Sequence, residues 1–275
     1  MYIPFDVERY EVRGLLGRGA EGSVYLLWDK ICGRMVAAKE GTEISRLRRQ
    51  GELMEKLPHG VCPLVYGFEE IKGRGILYME YVEGETLESY RSRKGKLVQE
   101  EVVSLLIKII DGLVCVHQKG VAYLDNKPSN IMLRRDGSIC LMDFGAADYV
   151  GNNRGVRGGT YGYAAPEQFW NGVEVDDRSD VYACGKLILY LMTEKNPAHP
   201  PYDDYIFIDA LPKKMQEVVR VATACDVRHR YRDLLDLKRK LYEDFCGGRK
   251  RFFERKQRNC IICEKSIWKS DYFRE

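Results

Sequence analysis

The sequence contains no apolar run approaching the ~20 residues that a membrane-crossing helix requires. Its start, Met1 to Tyr10, lacks the charged-then-apolar order of a secretory leader. Nine cysteines are scattered without the spacing of a disulfide framework, and their number is odd. Free thiols in a reducing compartment are therefore expected, rather than a stapled extracellular domain. Histidine is scarce, with four residues and none after 246. The pair Cys260-Ile261-Ile262-Cys263 thus has half of a zinc-site spacing, with Cys246 near it and no histidine to complete it. A strong charge of one sign is missing too, since the formal net charge is +3. Residues 246–275 hold nine Lys/Arg against four Asp/Glu, a net of +5, which leaves −2 on the remainder. Contact with an anionic partner is an expectation for this basic extension alone, and nothing suggests specific nucleic-acid binding. These absences lead to the expectation of a soluble, cytoplasmic chain of one large domain or two lobes.

What is present is concentrated in a few stretches. Tyr123-Leu124-Asp125-Asn126-Lys127-Pro128-Ser129-Asn130 is followed, thirteen positions after Asn130, by Asp143-Phe144-Gly145. Asp125 can accept a hydroxyl proton, Lys127 can neutralise charge on a moving phosphoryl group, and Asn130 can hold a metal. Asp143, opening a glycine-containing turn, supplies a second metal ligand. Near the start, Gly17-Arg18-Gly19-Ala20-Glu21-Gly22-Ser23-Val24 reads as a turn between two strands within Tyr10 to Tyr25. Glycines there let the backbone close over phosphates and offer bare N–H donors. Val36-Ala37-Ala38-Lys39 follows at the distance of a third strand. Residues 43–57 place Ile44, Leu47, Leu53/Met54 and Leu57 near one helical face. Leu97 to Lys119 predicts an amphipathic helix ending at Gly120, with Val102, Leu105, Ile109, Leu113 and Val116 as its core stripe and His117 as a structural histidine.

In this order the motifs resemble the protein kinase superfamily, over roughly residues 10–245. The compact size and the D-N-K-P-S-N loop are similar to eukaryotic-like serine/threonine protein kinases of bacteria. The resemblance implies an α+β, bilobal fold: a small antiparallel β-sheet lobe with one helix (1–79), a hinge (80–82), a larger, mainly helical lobe (83–245), and the basic extension 246–275. It implies ATP and Mg2+ as cofactors and transfer of the γ-phosphoryl group to Ser/Thr hydroxyls of proteins, autophosphorylation included. Gly17, Gly19, Gly22, Val24, Ala37 and Lys39 would contact the nucleotide, and Met79, Glu80 and Val82 would line the adenine end. Asp125 would be the base, with Lys127 and Thr160 beside it, and Asn130 and Asp143 would hold the metal. Gly159-Thr160-Tyr161-Gly162-Tyr163-Ala164-Ala165-Pro166-Glu167 resembles the family's G-T-x-x-Y-x-A-P-E, whose Glu is expected to pair with Arg230. Asp180 resembles the residue that holds the catalytic-loop backbone, while an ordinary helix N-cap remains open for it.

Three departures qualify the match. The helix that supplies a Glu to the strand lysine has Gln50 at that place. Gln50 itself can hydrogen-bond Lys39 but brings no charge, so the expected partner is Glu52, or else Glu43 or Glu55, with Gln50 as the alternative. Tyr123 and Leu124 stand where the family usually has His and Arg. Loss of that Arg removes the cation that a phosphorylated activation loop would neutralise. Between Phe144 and Gly159 there is no Ser or Thr, and Tyr149 is the only hydroxyl, so activity without loop phosphorylation is expected. A pseudokinase scaffold and a small-molecule kinase stay open as alternatives.

Overall fold

The structure is a computed structural model that describes residues 5–247 apart from 20, 152–157, 172, 194 and 198–203. Expectations for the middle of the activation segment and for the basic tail with Cys260 and Cys263 lie outside the described residues. The chain divides into two compact units, Met1–Glu83 and Gly84–Glu275.

The first unit is an antiparallel sheet of β1 (Tyr10–Gly19), β2 (Gly22–Asp29), β3 (Arg34–Gly41), β4 (Val65–Ile71) and β5 (Arg74–Glu80), in the order β1-β2-β3-β5-β4. One helix, α1 (Ile44–Glu55), connects β3 to β4. Alternation along β3 sends Val36 and Ala38 to a core with Phe5, Tyr10, Leu27, Ile76 and Tyr78. Tyr10 and Tyr78 stack there at 4.8 Å between ring centroids. The opposite face of β3 carries Ala37 and Lys39. Helix α1 packs on β5 with Leu47, Leu53 and Met54 buried. Gly51 permits this approach, because a Cβ there would lie 2.9 Å from Leu77 Cδ1.

The second unit is mainly helical. Its elements are β6 (Gly84–Thr86), α2 (Leu87–Lys94), α3 (Gln99–His117), β7 (Val121–Ala122), β8 (Ile131–Arg134), β9 (Ile139–Leu141), β10 (Asp148–Tyr149), α4 (Arg178–Met192), α5 (Asp204–Asp209), α6 (Lys213–Ala222) and α7 (Leu234–Phe245). Strands form two small antiparallel sheets, β6-β8-β9 and β10-β7. The buried stripe of α3 is Val102, Leu106, Ile109, Leu113 and Val116, alternating steps of four and three. Leu105, expected in that stripe, is only half-buried; a 3.6-residue repeat favours Leu106, one residue further round. Helix α4 is buried at every position from Ser179 to Leu191, and α3 and α6 pack on it.

Six described cysteines are free, among them the buried Cys62, Cys140 and Cys184.

A buried ion pair ties Glu167, in the segment ahead of α4, to the chain before α7. Arg230 donates from Nη1 to Glu167 Oε1 at 2.6 Å and from Nη2 to Oε2 at 2.8 Å. Ser179 Oγ donates to the same Oε1 at 2.7 Å, and Arg230 also donates to the carbonyls of Ala224 and Arg178. Burial pushes the Glu167 carboxyl up, but the hydrogen bonds and charge of Arg230 and the Ser179 hydroxyl outweigh it and hold the group below its ordinary value. A depressed carboxylate contributes stability that is present above its unfolded pKa and lost as pH falls through the folded value. Arg230→Met should therefore cost about 3–5 kcal/mol near neutral pH, because Glu167 is left as an uncompensated buried charge. Denaturant unfolding should show the gap to wild type narrowing as pH drops into the carboxylate range.

Candidate active site

In the first unit, register alone collects one set of expected residues. Val24, Lys39 and Leu77 stand opposite one another across β2, β3 and β5, and Leu26, Ala37 and Met79 do so two residues along. Directly opposed residues share a face, so Val24, Ala37, Lys39 and Met79 are on the same side of the sheet, away from the Tyr10–Tyr78 core. The β1–β2 hairpin closes over its end, with Gly17 opposite Val24 and Gly19 opposite Gly22. A Cβ at Gly17 or Gly19 would meet nothing within 4 Å, so packing within the protein does not demand glycine there. Gly22 differs: its φ is +139°, and a Cβ would lie 1.8 Å from the Glu40 carbonyl oxygen. At the end of β5, the Glu80 N–H donates to Leu64 O at 2.8 Å and is committed within the unit. Val82, two residues on, is buried.

Lys39 is 5% exposed. Its ammonium donates to Gln50 Oε1 at 3.0 Å and to Glu21 Oε2 at 2.9 Å. The expected partner Glu52 is exposed, as are Glu43 and Glu55. This corrects the choice of Glu52 and leaves the alternative, Gln50: α1 begins at Ile44 and turns Gln50 inward with Leu47, Met54 and Gly51, which leaves Glu52 on its outer face. The carboxylate on Lys39 comes instead from the glycine-rich turn, which sequence reasoning missed. The available signal was an acid between Gly19 and Gly22 in a chain whose helix offers an amide.

In the second unit a polar cluster gathers around Asp125. Lys127 Nζ lies 2.9 Å from Asp125 Oδ2, and the Thr160 hydroxyl donates to Asp125 Oδ1 at 2.8 Å. Lys127 Nζ donates in turn to Thr160 Oγ1 at 2.7 Å, closing a triangle. Asn130 Nδ2 donates to Asp125 Oδ2 at 2.7 Å and to the Asp125 carbonyl at 3.1 Å. With its nitrogen so engaged, Asn130 presents Oδ1 as an oxygen donor. Asp143 opens the following turn in a left-handed conformation, φ +49°, and accepts from Gly145 N–H at 3.1 Å. A carboxylate oxygen and an amide oxygen form a hard donor set that fits Mg2+, an ion usually held by one or two such groups together with phosphates. Among the described residues, no group of three or more His, Cys, Asp or Glu forms a self-sufficient metal cage. The residues therefore fit an ion shared with a phosphate ligand.

The loop is held from two sides. Asp180, fully buried in the first turn of α4, accepts from Tyr123 N–H at 2.8 Å and Leu124 N–H at 2.9 Å. His117 Nε2 lies 2.8 Å from the same carboxylate, and α4 starts from Asp177 as its N-cap. On the far side Gln168 Nε2 donates to the Leu124 and Gly158 carbonyls at 2.9 and 3.0 Å. Leu124 is thereby fixed at φ +68°, a conformation that costs about 1–3 kcal/mol for a residue with a Cβ. Its side chain is buried with Ala122, Val175 and Ala146. No signal in the sequence pointed to Gln168.

Tyr123 is fully buried, and its ring meets Phe144 edge-on at 5.0 Å. The hydroxyl donates to the Met142 carbonyl, next to Asp143, and the Asn130 carbonyl is 3.4 Å away. Burial, then the charges of Asp125, Asp143 and Asp180, push the phenol well above its ordinary pKa, so it stays a neutral donor. Tyr123 thus links the loop that carries Asp125 to the turn that carries Asp143.

Comparison with known proteins gives the family. The protein kinase domain model matches residues 10–245. The chain belongs to that family. It is 32% identical to a probable serine/threonine-protein kinase of Streptomyces coelicolor, over 81% of this chain and 38% of that protein. It is 31% identical to the serine/threonine-protein kinase PknL of Mycobacterium tuberculosis, over 82% of this chain and 63% of PknL. Similarity to PrkC of Bacillus subtilis, a serine/threonine-protein kinase, is 28% over 88% of this chain and 41% of PrkC. The chain thus spans less than two thirds of the length of these relatives.

Replacing Tyr123 by Phe keeps the ring against Phe144 but strips the donor from the half-buried Met142 carbonyl. Thermal or denaturant unfolding should show a loss of about 1–3 kcal/mol, with weaker Mg2+-dependent nucleotide binding.

Proposed function

We propose that the chain transfers the γ-phosphoryl group of Mg-ATP to Ser or Thr hydroxyls of proteins, itself included. The observation that carries this reading is the closed triangle of Asp125, Lys127 and Thr160, with Asn130 beside it. Asp125 would accept the hydroxyl proton and orient its oxygen, while Lys127 faces the negative charge of the group in transit. Thr160 fixes both side chains relative to one another, and the pairing of Lys127 with Thr160 favours Ser/Thr over Tyr as acceptor. Asn130 Oδ1 and Asp143 would hold magnesium, which when bound neutralises charge on the nucleotide phosphates. Lys39, Gly17, Gly19 and Gly22 would hold those phosphates from the first unit. Val24, Ala37, Met79 and the backbone of Glu80 and Val82 would take the adenosine end. The relatives described above are all named serine/threonine-protein kinases, which supports the same substrate class.

Regulation is proposed to be unusual for such a catalyst. Leu124 occupies an apolar cluster with Ala122, Val175 and Ala146, so the loop contains no cation at that point for a phosphate to neutralise. Tyr149, the sole hydroxyl between Phe144 and Gly159, is paired in β10 against β7. Activity is therefore expected without activation-loop phosphate. Among the described residues no helix is long and apolar enough to cross a membrane; a cytoplasmic setting and an anionic partner for the basic tail belong to the proposal.

Incubation of the purified chain with Mg-ATP, followed by phosphosite mapping on itself and on cell lysate, tests this reading. Phosphoserine and phosphothreonine are expected, and label on small metabolites alone would contradict it. Phosphatase-treated protein and Tyr149→Phe should keep wild-type rates within about twofold; a lag that ends with phosphate on residues 146–159 would refute the regulatory part.

A further inference from the structure

Helix α1 presents an amide to Lys39, not a charge. Gln50 is 2% exposed and its oxygen accepts from the ammonium at 3.0 Å. An amide can orient an ammonium, but it contributes no countercharge at a site that is nearly dry. Glu43, Glu52 and Glu55, the acids on or beside that helix, are exposed. Glu21, in the turn between β1 and β2, has its carboxylate on Lys39 at 2.9 Å and pairs through its other oxygen with Arg46 of α1.

The backbone is built to bring Glu21 there. Gly22 lies against the Glu40 carbonyl, where a Cβ would be 1.8 Å from the oxygen. At the end of β3, a Cβ on Gly41 would be 2.5 Å from the Glu21 carbonyl oxygen. Both glycines let the turn lie directly on β3, so that a single carboxylate ties the turn, the strand lysine and α1 together. Side-chain exposure of 7% for Lys39 and 29% for Glu21 indicates that the pair is largely shielded from solvent.

We infer that Glu21 is the positioning residue for Lys39, supplying from the glycine-rich turn the negative charge that Gln50 does not. It acts on the nucleotide through Lys39 and, in doing so, couples closure of the turn to the placement of α1. This rests on the phosphate-binding role proposed for Lys39. A consequence is that charge should be transferable: a carboxylate at position 50 should make one at position 21 dispensable.

The test compares wild type, Glu21→Gln, Gln50→Glu and the double variant Glu21→Gln/Gln50→Glu. Each is measured for the dissociation constant of a non-hydrolysable Mg-ATP analogue and for the kcat and KM of ATP turnover. Unfolding midpoints confirm that all four are folded. Glu21→Gln should weaken analogue binding and raise KM about tenfold, the equivalent of about 1.4 kcal/mol, with a smaller effect on kcat. Gln50→Glu in that background should restore both to within about threefold. A structural role for Glu21 would not be rescued by a charge on another element, so failure of rescue overturns the inference. Unchanged or tighter binding by Glu21→Gln also overturns it, since the carboxylate would then be idle or competing with phosphate. Wild type that binds the analogue but does not turn over ATP would sink the proposed function and leave this inference to be judged on binding. Wild type that binds no nucleotide would sink both.

Discussion

The second unit depends on one buried carboxylate. Asp180 sits in the first turn of α4, where helix geometry favours negative charge, and takes two successive backbone N–H groups, from Tyr123 and Leu124, together with His117. Aiming two neighbouring N–H groups at one carboxylate forces the chain between them into a turn, and Leu124 accepts the left-handed backbone that results. Gln168 holds the carbonyl on the other side of the same residue. The consequence is positional. Asp125 leaves the strained residue at an angle that brings it to Lys127, Thr160 and Asn130 together, at hydrogen-bond distance from each. Strain at a functional loop persists only where the surroundings over-determine it, and here α4, the end of α3 and the segment after Gly158 all contribute.

Substitutions at two family positions change the physics without dismantling this frame. Tyr123 replaces a titratable ring with a neutral phenol, whose hydroxyl reaches the carbonyl of Met142 and whose ring packs on Phe144. Leu124 replaces a cation by a side chain in an apolar cluster. Under the proposed regulation, both changes would shift the loop's dependence from charges that arrive later to packing within the second unit. In the first unit the change runs the other way. There an amide replaces a carboxylate on α1, and a charge-assisted contact is made by Glu21 across the glycine-rich turn.

Much of the fold was legible because it rests on periodicity and on glycine. Two-residue alternation in β3 separates Val36 and Ala38 from Ala37 and Lys39, and helical spacing places α1 and α3 close to where they occur. That Asp125, Lys127, Asn130 and Thr160 would meet was legible as well, since the first three are joined by a short loop and Thr160 follows in an ordered motif. What was not legible depends on which way a side chain turns. Counting along α1 could not tell that Glu52 faces outward while Gln50 reaches Lys39, nor that Leu106 rather than Leu105 faces the core. Glu21 and Gln168 act across distances that the chain closes only by folding.

The central claim is that Asp125 is the group on which phosphoryl transfer turns. The most direct measurement is the single-turnover rate of γ-labelled ATP transfer to protein hydroxyls by wild type and by Asp125→Asn, at matched unfolding midpoints and matched nucleotide affinity. The asparagine keeps the shape but can no longer take the proton. A fall of about 10²–10⁴-fold is predicted. An undiminished rate from folded, nucleotide-bound Asp125→Asn would contradict the account.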